Sequence, residues 1–175
     1  MIYFTSDLHL GHAAIIHMQN RPFESVEEMN EKLIENFNQT VHQGDTVYIL
    51  GDIAFRVKME TANEMISKLN GRKILINGNH DKRYDPSLFV NVTDYMTASF
   101  NGRPFVLMHY PMLSWPHKSR GAIQLHGHIH ARMDYNMKNR EAGELRYDVG
   151  VDANDYKPVS VNQIIEFFKG VECKP

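Results

Sequence analysis

Short apolar runs rich in Ile, Val, Tyr and Phe recur along this chain, and a polar cluster follows each of them. Runs of this kind favour β-strands. They lie at Ile2–Thr5, Thr46–Leu50, Lys73–Ile76, Phe105–Met108 and Ala122–Leu125. Helical periodicity separates several of them, and alternating strands and helices predict an α/β domain. This pattern constrains the fold most, because loops that leave the carboxyl ends of parallel strands gather at one edge of a sheet.

Weaker strand signals cover Phe89–Asp94, Tyr95–Phe100 and Leu145–Val151, and the Asn101-Gly102 pair predicts a hairpin. Amphipathic helices are expected after Ser25, at Met59–Leu69 and at Val161–Lys169, with a short one near Ala13. Ser25 with Glu28 predicts a capping box, and Ser160 predicts a helix N-cap. Loops are expected at Pro111–Gly121 and Met133–Gly143, and the second loop is polar enough to be mobile. No boundary divides the chain, so residues 1–175 are expected to form one domain.

The polar clusters supply oxygen and nitrogen donors and no sulfur. They contribute two carboxylates, one carboxamide and five imidazoles, from Asp7, His9, Asp52, Asn79, His80, His109, His128 and His130. This inventory suits a pair of divalent transition metals, and such a pair suits the attack of water on phosphorus. Mn²⁺ is the expected ion, with Fe, Zn²⁺ and Ni²⁺ as alternatives.

Asp52 is the natural bridging ligand, because the two oxygens of a carboxylate can hold two cations. One metal would then be completed by Asp7, His9 and His130, and the other by Asn79, His109 and His128. In the pairs Asp7/His9 and His128/His130, the i, i+2 spacing places both side chains on one side of extended backbone.

In this order, Asp-x-His, Gly-Asp, Gly-Asn-His-Asp, His and Gly-His-x-His resemble the signature of the calcineurin-like metallophosphoesterase superfamily. The resemblance runs from Asp7 to Asp152. Three further features look like its small, capless bacterial or phage branch: Asn20-Arg21-Pro22-Phe23, His109-Tyr110-Pro111, and Gly150-Val151-Asp152-Ala153-Asn154 with Pro158-Val159-Ser160. It implies two mixed β-sheets packed face to face and flanked by helices, a four-layer α/β/β/α sandwich. It also implies the ligand division given above, with Asp52 bridging.

The same resemblance implies a phosphoesterase with a metal-bridging hydroxide as nucleophile. His80 would protonate the leaving oxygen, and Asp81 would orient His80. His12 and His126 lie close to the ligand clusters and are candidates for supporting a ligand or contacting phosphate. Three arginines are candidates for gripping a substrate phosphate: Arg21, Arg83 and Arg120. Tyr110 and Trp115 are candidate walls for a base or aryl leaving group, and Asp148 and Asp152 are read as structural or supporting residues.

Charge and composition narrow the classes of function. A net charge of −2 argues against a strongly basic nucleic-acid binder, and no stretch is long and apolar enough to predict a membrane span. The lone Cys173 excludes an internal disulfide, so the cytoplasm is the expected compartment. A small phosphate ester, possibly a nucleotide, is the expected substrate, and the open site favours diesters over monoesters. Two alternatives remain, a non-catalytic scaffold of the same fold and a nuclease.

Overall fold

The computed structural model describes residues 1–81 and 84–172, so Arg83 and Cys173 lie outside the described residues. Nine strands occur in the described part: β1 (Ile2–Thr5), β2 (Thr46–Ile49), β3 (Arg72–Ile76), β4 (Asn91–Thr93), β5 (Tyr95–Phe100), β6 (Arg103–Met108), β7 (Ile123–His126), β8 (Arg146–Asp148) and β9 (Val159–Ser160). Within the same described ranges there are five α-helices: α1 (Ala13–Met18), α2 (Val26–Thr40), α3 (Met59–Ser67), α4 (Tyr135–Glu141) and α5 (Val161–Phe167). No helix of the described ranges is long and apolar enough to cross a membrane.

The strands form two mixed sheets. The first has the order β4-β3-β2-β1-β9, with β9 alone antiparallel to its neighbour. The second has the order β5-β6-β7-β8, in which β6, β7 and β8 run parallel and β5 pairs antiparallel to β6. The two sheets and their flanking helices confirm the predicted fold class.

Side-chain alternation divides the core into two layers. On β2, Val47 and Ile49 belong to the apolar cluster that includes residues of helices α1, α2 and α3, whereas Tyr48 packs against the second cluster. The second cluster joins β1 to β6 and β7 through Phe4, Phe105 and Leu125. Because successive residues of a strand point to opposite faces, one strand can serve both layers.

Most element boundaries lie within two or three residues of those predicted. The hairpin at Asn101-Gly102 is confirmed, and both residues have positive φ, 50° and 77°, as a type I′ turn requires. Ser160 caps α5 in a full capping box with Gln163. The box predicted at Ser25 is only half formed: Ser25 accepts from the Glu28 amide, but the Glu28 carboxylate accepts from the amide of Glu24.

The loop predicted over Met133–Gly143 is wrong, because helix α4 occupies most of this range. The side chains that α4 buries are those of Asn136 and Asn139, so its buried face is made of amides and gives no apolar pattern in the sequence. Asn136 donates to the Asp148 carbonyl at 3.0 Å and accepts from the Asp148 amide at 2.8 Å, while Asn139 donates to the Arg146 carbonyl at 3.0 Å. These amides pair with β8 at the edge of the second sheet, and the pairing protects that edge.

Candidate metal centre

The predicted ligands lie together because their loops are tied to one another just beyond the strand ends. The Asp7 amide donates to the Gly51 carbonyl and the His9 amide to the Asp52 carbonyl, each at 3.0 Å. In the second sheet, the Gly127 amide donates to the His109 carbonyl at 2.9 Å. The strand-end clusters are thus joined by the same parallel pairing that builds the sheets.

Five of the predicted ligands have left-handed backbone conformations, with φ between 46° and 73°: Asp7, His9, Asp52, His128 and His130. Residues other than glycine rarely adopt this conformation, and strain of this kind clusters at functional sites. The positive φ values redirect the chain at each ligand.

Two glycines allow a carboxylate to approach the backbone closely. A Cβ atom at Gly127 would collide with the Asp7 carboxylate and the Ser6 hydroxyl, and one at Gly78 would collide with the Asp52 carboxylate. Both carboxylates also accept nearby backbone hydrogen bonds, from the His128 amide to Asp7 and from the His80 amide to Asp52, each at 2.9 Å. Glycine is therefore required at these two positions.

A first donor group consists of Asp7, His9 and His130, whose ligand atoms all lie within 4.8 Å of one another. The Nε2 atoms of His9 and His130 lie 3.9 and 3.8 Å from Asp7 Oδ1. His9 Nε2 is also 3.5 Å from Asp52 Oδ2. These contacts place Asp52 at the margin of the first group.

A second group of donor atoms surrounds His109 Nε2. Asn79 Oδ1 lies 3.0 Å away, His128 Nδ1 3.2 Å away and Asp52 Oδ2 3.5 Å away. Asp7 also falls within 4.8 Å of Asp52 and His109. Asp52 Oδ2 thus lies between the two sets of donors.

The spacing and chemistry of these atoms fit divalent metals. For metal–ligand bonds of about 2.1 Å, adjacent donors lie about 3.0 Å apart in an octahedron and about 3.4 Å apart in a tetrahedron. The donors around His109 Nε2 have this spacing. Among the described residues, the buried atoms Asp7 Oδ1 and His9 Nε2 have no hydrogen-bond partner. Buried polar atoms are normally paired, so both atoms point to a missing ligand.

Burial controls the protonation of these ligands. Desolvation, with nearby positive charge, lowers the pKa of His9 to about 2, and desolvation also lowers the pKa of His128. Both imidazoles are therefore neutral at physiological pH, as metal ligation requires. Burial would lower the pKa of His130, but its hydrogen bond to Asp152 and the charge of Asp7 outweigh burial and raise it. The pKa of Asp7 is raised by burial.

His80 lies half-buried beside the donor groups. Its ring centroid is 5.7 Å from that of His9 and 4.5 Å from that of Phe55, which it meets edge to face. Phe55 in turn contacts the ring of His12 at 4.1 Å. An imidazole is thus held near the metal ligands without belonging to either donor group.

Asp81 has partners other than the one expected for it. Its Oδ2 accepts from the amides of Asp52 and Gly78, each at 2.8 Å, while Oδ1 accepts from the Ile53 amide and the Tyr84 hydroxyl. Both oxygens are engaged in these bonds, which join the loop after β2 to the loop after β3. We therefore correct the expectation that Asp81 orients His80: in this structure it holds together the two loops that carry Asp52 and Asn79.

Arg21 does not face a substrate, so its predicted role is also corrected. The side chain is fully buried and forms a bidentate pair with Asp152 at 2.8 Å for both bonds. It also donates to the carbonyls of Asp7 and Leu8 at 2.8 and 3.0 Å. Asp152 receives a further hydrogen bond from His130 Nδ1 at 2.8 Å. Arg21 is therefore part of the support beneath the first donor group.

The aromatic candidates differ in their surroundings. Trp115 is buried in the core and donates to the Ala122 carbonyl at 2.9 Å, so it does not line the site as predicted. Tyr110 is 40% exposed, and its ring lies 4.6 Å from that of His128, at the mouth of the site.

The remaining candidates are two histidines, His12 and His126, and one arginine, Arg120. His12 Nδ1 is 3.2 Å from His9 Nδ1, so His12 contacts a ligand as expected. His126 is buried and donates from Nδ1 to the Gly127 carbonyl, and desolvation lowers its pKa to about 4. Arg120 is exposed in a short 3₁₀ turn, and its contact with phosphate stays a prediction.

Several known proteins are similar to this chain. The sequence profile of a family described as calcineurin-like phosphoesterase matches residues 1–153. An uncharacterised protein of Methanocaldococcus jannaschii is 38% identical over 171 residues, covering 96% of this chain and 91% of that protein. The gene 66 protein of Mycobacterium phage D29 is 28% identical over 202 residues, covering 98% and 97%. A crystal structure of a protein of unknown function from Aquifex aeolicus has a TM-score of 0.75 and 27% identity, covering 95% of this chain and 98% of that one.

Proposed function

The chain belongs to the calcineurin-like phosphoesterase family, and on that premise we propose that it is a two-metal enzyme that hydrolyses a small phosphate ester. The observation that carries the proposal is the convergence of two donor groups on Asp52 Oδ2, which lies 3.5 Å from the Nε2 atoms of both His9 and His109. A metal-binding scaffold could keep these donors, but it would not need the imidazole of His80 beside them.

Seven residues would hold the ions. Asp7, His9 and His130 form one position, Asn79, His109 and His128 form the other, and Asp52 is shared. Divalent ions bound there would supply Lewis acidity and would lower the pKa of bound water. Mn²⁺ suits the mixed oxygen and nitrogen donors, with Fe, Zn²⁺ and Ni²⁺ as alternatives.

His80 is proposed to donate a proton to the departing alkoxide oxygen. Its amide is fixed by Asp52 Oδ1 at 2.9 Å, so the residue is positioned by the shared ligand itself. Its ring packs against Phe55 and is half-buried, which leaves part of the imidazole accessible to substrate. A general acid placed in this way typically contributes about 10²–10⁴-fold to the rate.

We propose a phosphodiester as the preferred substrate, with a nucleotide as one possible form. Asn79 and Tyr110 are exposed on the side of the second donor group, while Phe55 and His12 lie on the side of His80. Substituents on both sides of a phosphorus atom would therefore have protein beside them. The ring of Tyr110 is available to contact a base or an aryl group.

Hydrolysis of two chromogenic esters tests this proposal. Metal-stripped protein would be assayed with bis-p-nitrophenyl phosphate and p-nitrophenyl phosphate, with and without added Mn²⁺. We expect turnover that requires Mn²⁺, is faster for the diester, and falls by about 10²–10⁴-fold in His80→Ala. The His42→Ala variant, which removes an exposed histidine from the loop before β2, serves as the matched control and should retain turnover. Equal rates for His80→Ala and the wild type would refute the role of His80.

A further inference from the structure

Two sequence segments outside the donor groups meet beneath the first metal position. Arg21 follows α1, and Asp152 lies in a 3₁₀ turn, Val151–Ala153, that follows β8. The two residues are 131 positions apart in the chain, yet their side chains are 0% and 8% exposed and pair in a bidentate geometry. Burying a charge costs free energy unless the charge is paired and hydrogen-bonded. A buried ion pair at this position is therefore expected to have a structural or functional role.

The contacts of the pair lead to two members of the first donor group. Arg21 Nη2 donates to the backbone carbonyl of Asp7 at 2.8 Å. Asp152 Oδ2 accepts from His130 Nδ1 at 2.8 Å, which leaves His130 Nε2 facing Asp7 Oδ1 at 3.8 Å. A carboxylate that accepts from one nitrogen of a ligating imidazole fixes the ring orientation and the tautomer.

The second donor group has less support of this kind. His109 is buried and held by the Leu50 carbonyl, 2.7 Å from its Nδ1. Asn79 is exposed and His128 is half-buried. Within residues 1–81 and 84–172, the polar contacts of both side chains are with His109 Nε2, which is itself a donor atom for the metal. Two of the three ligands unique to this position therefore have no side-chain contact that orients them in the way Asp152 orients His130.

From this contrast we infer that Asp152, clamped by Arg21, is a positioning residue for His130 and makes the Asp7/His9/His130 position the tighter of the two metal positions. The inference rests on the proposed two-metal site but not on turnover. Its physical basis is preorganisation: a ligand whose ring is already fixed loses less conformational freedom when an ion binds.

Asp152→Asn is the direct test of the inference. The substituted amide turns an N–H group towards one side of the Arg21 fork, so the bidentate pair and the bond to His130 cannot both persist. Because this leaves a buried guanidinium without its counter-ion, the double variant Arg21→Met/Asp152→Asn provides a second protein in which no charge is stranded.

Asn154→Ala is the matched control. Asn154 donates to the carbonyls of Asp148 and Gly150 at 2.9 and 2.8 Å and accepts from the Tyr147 hydroxyl at 2.9 Å. Its loss loosens the same turn but removes no atom that contacts a metal ligand. Unfolding by urea in the absence of metal would measure how far the control and each test variant are destabilised.

The measurement is calorimetric titration of Mn²⁺ into each metal-stripped full-length protein. We expect two unequal binding steps in the wild type. In Asp152→Asn and in the double variant, the tighter step should weaken by about 10- to 100-fold while the other stays unchanged. Asn154→Ala should bind like the wild type.

Three results would overturn the inference: two equal steps in the wild type, an unchanged tight step in Asp152→Asn, or equal weakening in Asn154→Ala. Each of these results is independent of hydrolysis. An inactive protein with the expected isotherms would count against the proposed function and would leave the role of Asp152 standing.

Discussion

Asp81→Asn should destabilise the protein, because the carboxylate of Asp81 joins two ligand-bearing loops. Oδ2 accepts two backbone amides, and Oδ1 accepts one amide and the Tyr84 hydroxyl. The best arrangement of an asparagine keeps its oxygen on the amides of Asp52 and Gly78 and turns its NH₂ towards Ile53. The charge-assisted bond from the Ile53 amide is then lost, and that amide is left opposed to a donor. The Tyr84 hydroxyl must turn to accept from the new NH₂ group, and the bonds from Asp52 and Gly78 become neutral.

A hydrogen bond to a charged group contributes about 1.5–3 kcal/mol, and an unsatisfied amide costs a further amount of about 1 kcal/mol or more. We therefore expect Asp81→Asn to lower the free energy of unfolding by about 3 kcal/mol, measured by urea denaturation of metal-free protein. Tyr84→Phe removes one of the four bonds without changing a charge and should cost about 1 kcal/mol.

An Asp81→Asn protein with wild-type stability would refute this reasoning. If that protein also lost activity, the role first expected for Asp81, the orientation of His80, would be reinstated. His80→Ala provides the complementary comparison, because that ring is half-buried and its loss should leave the unfolding free energy close to that of the wild type.

Three further predictions follow from the site. Chelation of metal should lower the melting temperature and Mn²⁺ should restore it, since an ion that binds only the folded state stabilises that state; an unchanged melting curve would contradict the metal site. Gly127→Ala should abolish Mn²⁺ binding because its Cβ would displace the Asp7 carboxylate, whereas Gly44→Ala, where a Cβ meets no atom within 4 Å and φ is not positive, should bind normally in the same titration. Burial first, and then the charge of Asp7, raise the pKa of Asp148 to about 7 from 3.8. A raised carboxyl pKa gives stability that is present below the unfolded value and is lost as pH rises through the folded value. Metal-free wild-type protein should therefore lose stability between pH 4 and pH 7, and urea denaturation should show a smaller loss in Asp148→Asn.

The sheets and the donor residues were predictable from the sequence because strands leave a strong local signal. β-Branched runs such as Ile2–Thr5 mark strands directly, and the position of a polar cluster after each run follows from the topology of parallel sheets. The ligand candidates Asp7, Asp52 and His109 therefore needed no knowledge of distant contacts to be placed at one edge.

Contacts between distant segments were not predictable. Helix α4 was missed because its buried face consists of Asn136 and Asn139, which bond to β8 and give no apolar period. Arg21 was expected to grip a substrate phosphate, because its partner Asp152 lies far along the chain and the pairing leaves no local signal. Asp81 was assigned to its neighbour His80, although its partners are amides of two loops. In each case a polar side chain forms hydrogen bonds that hold distant segments together. The hydrophobic pattern of the sequence does not predict such bonds.

Anomalous diffraction from Mn²⁺-loaded crystals would locate the bound ions themselves. Two peaks are expected, roughly 3.5–4 Å apart, with Asp52 between them. Asp7, His9 and His130 should surround one peak, and Asn79, His109 and His128 should surround the other. A single peak, or peaks away from Asp52, would contradict the two-metal site on which the proposed hydrolysis depends.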